Sequence, residues 1–153
     1  MMKLLQHLCF LFPLVMACTN ARIQDVQLRR LPTADTYMFR RGAYNNRIDY
    51  LYVENNFYFE KDTYQKLKDK IEEKHMQLLD GKYQLSSFYI YKKTDVINEH
   101  YNKGTVGLDG HNRDLLAYVR YGNGKMDIFY VLKDGNVIYD LLQNRQEGFE
   151  FED

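Results

Sequence analysis

The chain predicts an α+β fold: an antiparallel sheet of about five strands, one long amphipathic helix across one face, and a C-terminal three-stranded meander. Three observations lead there. Tyr64, Leu67, Ile71, His75 and Leu78 recur every three or four residues, the spacing of one helix face. Short stretches rich in Tyr, Phe, Val and Ile surround that segment, as strands do. Asn123-Gly124 and Asp134-Gly135 interrupt the last of these stretches, and such pairs accept the positive φ of tight hairpin turns.

The elements follow in order. Residues 1–17 read as a signal peptide, with Lys3 ahead of an apolar run over 8–17. That run is about half the roughly 20 residues a membrane-spanning helix needs. Residues 18–36 are polar, hold Pro32 and show no sustained period, so they read as a tether that reaches about 50–55 Å when extended. A single α+β domain spans 37–145. Within it, 48–60 reads as two short strands, or one interrupted at Asn55-Asn56. The helix covers 63–79, with Asp62 as cap, Gln65 as capping-box partner, Gly81 as stop and Lys68–Glu72 as an i,i+4 pair. A strand over 85–93 leads to Thr94, which caps a short helix over 95–101. After a glycine-containing loop come strands over 115–121, 126–132 and 137–142. Residues 146–153 form an acidic tail in which Phe149 and Phe151 can dock. Alternation puts apolar side chains on both faces of the meander, so a second layer, from 37–44, or a partner must cover the face away from the helix.

Val15-Met16-Ala17-Cys18 places an aliphatic residue three before a cysteine and a small residue just before it. This resembles the lipobox of bacterial lipoproteins, and the resemblance covers the first 18 residues alone. It implies that the Cys18 thiol receives a diacylglycerol, that the signal is removed, and that the new amino terminus takes a fatty acid such as palmitate. Thr19, where an Asp would favour the inner membrane, implies an outer-membrane anchor facing the periplasm. A plain secretory signal with an incidental cysteine, or an uncleaved anchor, is the alternative. Each buried methylene contributes about 0.8 kcal/mol, so three acyl chains hold effectively permanently.

Removal of the first 17 residues leaves 136 of the 153, enough for one domain with a core. The loss of Lys3 leaves 20 basic and 21 acidic side chains, a balance that argues against a nucleic-acid binder. Cys9 and Cys18 are the two cysteines, so the domain beyond them has no disulfide and no thiolate for a metal or a nucleophile. The 14 Tyr and 9 Phe, with no Trp, suit half-buried strands first and a contact surface second. Arg29, Arg30, Arg40 and Arg41 read as solubilising charges, with contact to acidic lipid as the alternative.

The chemistry-bearing residues are sparse. His75 falls on the helix stripe as a packed histidine, and His100 ends the expected short helix as a favourable cation. Asp109, His111, Arg113 and Asp114 form the densest polar cluster, yet their spacing matches no metal motif, so no metal is expected. Gly104, Gly107 and Gly110 do not form a dinucleotide fingerprint, and the 122–125 glycine turn is an incomplete phosphate loop. Ser86 and Ser87 lie in a strand without a nucleophile elbow.

The expected function is therefore non-enzymatic. It is a membrane-anchored envelope lipoprotein that binds a protein partner, in the manner of an immunity or inhibitor protein against an envelope-directed toxin, and it uses no cofactor. The expected contact residues are Tyr118 and Arg120 on the meander and Asp109, His111, Arg113 and Asp114 in the loop before it. An accessory subunit of an envelope complex, or a small periplasmic hydrolase working through residues 109–114, are the competing readings. Intact mass of the chain recovered from bacterial membranes tests the start of this argument. A species beginning at Cys18 with three acyl chains is expected, and an unmodified cysteine defeats the anchor.

Overall fold

The computed structural model describes residues 25–32, 37–41, 44–78, 83–102, 108 and 110–152. Cys18, Gly81, Gly104, Gly107 and Asp109 lie outside these residues. The strands are β1 (Leu28–Arg30), β2 (Tyr37–Arg41), β3 (Tyr44–Val53), β4 (Leu85–Lys92), β5 (Leu115–Gly122), β6 (Lys125–Lys133), β7 (Asn136–Asp140) and β8 (Arg145–Glu150), with one helix, α1 (Lys61–Leu78). They form a mixed α+β fold around a single, mostly antiparallel sheet in the order β1-β3-β4-β5-β6-β7-β8. β2 pairs with the first half of β3 and β1 with the last residues of it, so these two short strands share one edge.

One pair departs from the antiparallel expectation. β3 and β4 run parallel, with Tyr50 beside Tyr89. The cause is α1, which carries the chain back to the end where β3 began. A strand that follows such a crossover runs parallel to the first.

The helix begins at Lys61, two residues before the expected start, and the Tyr64 amide donates to the Glu60 carbonyl at 3.1 Å. Asp62 therefore lies inside the first turn, and the Gln65 amide donates forward to Asp69 at 2.9 Å rather than back to a cap. The expected Lys68–Glu72 pair forms at 2.6 Å. Tyr64, Leu67, Ile71 and His75 are all buried, as their spacing requires. They pack on Leu51 and Val53 of β3, Phe88 and Ile90 of β4, Val119 and Tyr121 of β5 and Phe129 and Val131 of β6. Leu67 and Ile71 are fully enclosed, and truncation of either to Ala would cost about 2–5 kcal/mol through lost contact and residual cavity.

The opposite face has a core of its own. Tyr52, Tyr91 and Leu132 point into it and are covered by Leu31, Ile97 and Tyr101. The cover thus comes from residues beside β1 and from the segment after β4. Of the expected layer from 37–44, Tyr37–Arg41 and Tyr44 are instead part of the sheet, as β2 and the start of β3. The expected helix over 95–101 does not form. Thr94 Oγ1 accepts from the amides of Val96 and Ile97 at 3.2 and 2.9 Å, as a cap would. The Asn98 side chain then takes the carbonyls of Thr94 and Asp95 at 3.0 and 2.8 Å. An asparagine that satisfies local carbonyls competes with helix formation, and the result is a compact turn that drives Ile97 and Tyr101 into the core. His100 accordingly ends no helix. Its amide donates to Asn98 Oδ1 at 2.7 Å.

Two more stretches differ from expectation. Residues 28–30 of the expected tether form β1, and Val26 and Leu31 on either side are buried. Most of the expected tail forms β8, paired with β7. The meander is therefore four-stranded. Its tight turns behave as read: Asn123 and Gly124 have φ of 50° and 78°, and Asp134 and Gly135 of 53° and 85°.

Two consequences of the helix–sheet core can be measured. The Tyr121 hydroxyl is buried and has no hydrogen-bond partner among the described residues, and burial raises its pKa. Tyr121→Phe is expected to stabilise the domain by about 1 kcal/mol in denaturant titration, because it removes an uncompensated polar group. His75 stacks on Tyr121 with ring centroids 3.6 Å apart, and burial lowers its pKa below 6.5. The unfolded chain then binds a proton that the folded chain refuses. Stability is expected to fall as pH drops below about 6.5, and His75→Phe is expected to remove that part of the slope in a pH series of thermal melts.

Candidate functional site on the open sheet face

Strand register assembles a row of tyrosines on the face away from α1. Tyr50 of β3 pairs with Tyr89 of β4, Tyr89 with Tyr118 of β5, and Tyr118 with Tyr130 of β6. The first three rings of the row touch. Tyr50 and Tyr89 stack at 5.4 Å, and Tyr89 and Tyr118 meet at 5.0 Å with planes tilted by 53°. Phe151 packs on Tyr118 at 5.1 Å and Phe149 meets Tyr130 edge-on at 5.7 Å, so both phenylalanines of the expected tail dock beside the row. Each such pair contributes about 0.5–1.5 kcal/mol beyond its buried area, which makes the row a stiff surface.

The row marks a boundary. Toward Tyr52 and Tyr91 the face is closed by Ile97, Tyr101 and Leu31. On the other side lies a second register row: Ile48, Ser87, Arg120 and Ile128. Tyr50, Tyr118, Tyr130, Ile48, Arg120 and Ile128 are all partly exposed, so this part of the face meets solvent. The Tyr118 and Ser87 hydroxyls lie 3.3 Å apart, which orients the phenol.

Arg120 supplies the charge. Its Nε and a terminal nitrogen donate to the two carboxylate oxygens of Asp127, each at 3.0 Å. A bulge between β5 and β6 sets this geometry: Arg120 lies opposite Ile128 while Tyr121 lies opposite Met126, which swings Asp127 onto the Arg120 side. These hydrogen bonds raise the Arg120 pKa still further, so it is a permanent cation. Both side chains are more than a third exposed, and the pair contributes about 0.2–1 kcal/mol to stability. Its use is positional: the two bonds fix the guanidinium on the face that carries Tyr118.

The structure brings Tyr118 and Arg120 together, two residues apart on one face of β5. It does not join them to the polar cluster before that strand. His111 Nδ1 lies 3.0 Å from Asp114 Oδ2, and the Asp114 amide donates to the His111 carbonyl at 2.9 Å. The three residues from Asn112 to Asp114 form a single 3-10 turn at the start of β5. Arg113 points instead into a cleft at that end of the sheet, with Lys92 and Lys133. Among the described residues, no three of His, Cys, Asp and Glu converge as metal ligands. Among the described residues of this cluster, His111 and Asp114 are thus paired with each other, and Arg113 is exposed.

The sequence reading missed Tyr50, Tyr89 and Tyr130. Each sits in an alternating strand pattern, and the signal was there as a recurrent Tyr in consecutive strands. Alternation assigns a residue to a face but does not say which residue lies beside it on the next strand. No protein-family model, no curated protein and no solved structure matches this chain.

Proposed function

We propose that this protein is a lipid-anchored envelope protein that binds a protein partner through the open half of its sheet face, without catalysis. The supporting observation is the register-aligned row Tyr50–Tyr89–Tyr118–Tyr130 beside the Arg120–Asp127 pair. Tyrosine and arginine in a pre-ordered, partly buried patch are the residue types that carry binding energy at protein interfaces. The patch is built on strands and docked aromatics, so little conformational entropy is lost when a partner closes over it. An inhibitor or immunity role fits such a rigid surface, which needs no motion to engage its target. Half of the face is already closed by Ile97 and Tyr101, and this limits the partner to the rows from Tyr50 to Tyr130 and from Ile48 to Ile128. Among the described residues, the hydrolase reading has the His111–Asp114 pair to draw on.

The test is a partner captured on the full-length protein and titrated against variants. Tyr118→Ala is expected to weaken binding by about 2 kcal/mol or more, and Arg120→Ala by a comparable amount. Lys125→Ala, on the hairpin turn, should change nothing. Unaltered affinity in both face variants would remove this surface as the binding site. Turnover of an envelope substrate abolished by His111→Ala would replace binding with hydrolysis.

A further inference from the structure

We propose that the C-terminal segment from Phe149 to Glu152 is a displaceable strap across the tyrosine row, and that a protein partner enters by putting an aromatic side chain of its own where the Phe151 ring lies. This rests on the binding face of the preceding section and adds the chemistry of the group that the face takes.

The first observation is how the segment reaches the row. β8 pairs with β7 through Asp140–Arg145 and Tyr139–Gln146, shifts register, and resumes with Val137–Phe149 and Asn136–Glu150. Gly148 falls in that shift, is exposed, and has no heavy atom within 4 Å of the place a Cβ would take. The irregularity divides the strand, and the part beyond it keeps two ladder positions. Past Glu150 the chain leaves the edge of the sheet. The Phe151 amide donates at 3.1 Å to the carbonyl of Gly135, in the turn between β6 and β7. The Phe151 ring lies 5.1 Å from that of Tyr118, on β5, three strands in from β8. The end of an edge strand thus sets its last ring over the broad face.

The second observation is how lightly the segment is held. Glu150 and Glu152, on either side of Phe151, are exposed, and Phe149 is 43% exposed although it meets Tyr130. Phe151 is partly buried, against Tyr118 and the second core. Past the last ladder position, the described contacts are therefore one ring and one backbone bond. Both are contacts that a partner can replace with equivalent ones of its own. The ring also records what the row accepts: an aromatic side chain carried on an extended backbone, at the separation and tilt that aromatic pairs prefer. A partner that reaches Tyr118 meets Phe151 first. A site closed by its own tail binds more weakly, in proportion to the fraction of molecules that are open.

The experiment uses the full chain, native and as Phe151→Ala. The probe is a labelled peptide, Gly-Phe-Glu-Phe-Glu-Asp, which copies residues 148–153. A short leash holds its end at an effective concentration of about 1 mM, so a strap that is mostly closed implies a peptide Kd below about 1 mM. The Phe151→Ala chain is expected to bind the peptide at that level, and the native chain about fivefold more weakly or worse. Addition of Tyr118→Ala to the Phe151→Ala chain is expected to abolish binding. Phe151→Leu gives the same comparison should Phe151→Ala unfold in a thermal melt. Equal peptide affinity for the native and variant chains, or none for either, overturns the proposal. So does a peptide with Ala for its second Phe that binds as well as the parent. A captured partner separates the two readings. It is expected to bind the Phe151→Ala chain about fivefold more tightly than the native chain. Equal or weaker binding there, with Tyr118→Ala still damaging, defeats the strap and leaves the face as the binding site. Unaltered affinity in both Tyr118→Ala and Arg120→Ala defeats the face itself, and the strap with it.

Discussion

The burial of one narrow apolar stripe governs this structure. Tyr64, Leu67, Ile71 and His75 lie on a single side of α1, and that side must leave water. A helix between two neighbouring strands satisfies the requirement by lying across them, and this makes β3 and β4 parallel and adjacent. β5 pairs antiparallel with β4, and β6 to β8 then add outward through tight turns. Loss of the stripe would undo the one long-range decision, the placement of β3 beside β4, on which the width of the sheet depends.

A single helix can cover a single face. The other face has to be closed by shorter means, and the chain uses what lies near the ends of β1 and β4: Leu31, Ile97 and Tyr101. These reach about half the surface. The tyrosine row sits where the cover stops, and the second row, with Arg120, lies beyond it. The open face is thus a product of incomplete coverage. Its aromatic rings keep it ordered although it is open to water.

The broad face and the end that carries Tyr58 and Phe59 point in different directions. Arg113 and Lys133 line the cleft at that end, whereas Tyr118 and Arg120 lie on the broad face.

Much of this architecture is local and can be read from the chain. The stripe from Tyr64 to His75 is a matter of spacing. The turns at Asn123-Gly124 and Asp134-Gly135 follow from positive φ. Thr94 as a cap was also legible, yet the helix it heads is absent because Asn98 bonds back to the carbonyls a helix would use. β1 and β8 escaped notice for a related reason. Leu-Arg-Arg and a charged hexapeptide with a glycine carry little strand preference of their own, and neighbouring strands impose the conformation.

The sequence by itself therefore determined the long helix, the tight turns and the presence of tyrosine on alternate strand positions, because each depends on residues a few places apart. Only the tertiary structure decided that β3 and β4 run parallel, that Tyr50, Tyr89, Tyr118 and Tyr130 share one row, and that Asp25 lies beside Asn55. Those facts depend on register and on pairing between distant segments. They are set by the total area buried and the backbone hydrogen bonds satisfied across the whole sheet, quantities that no short stretch of the chain contains.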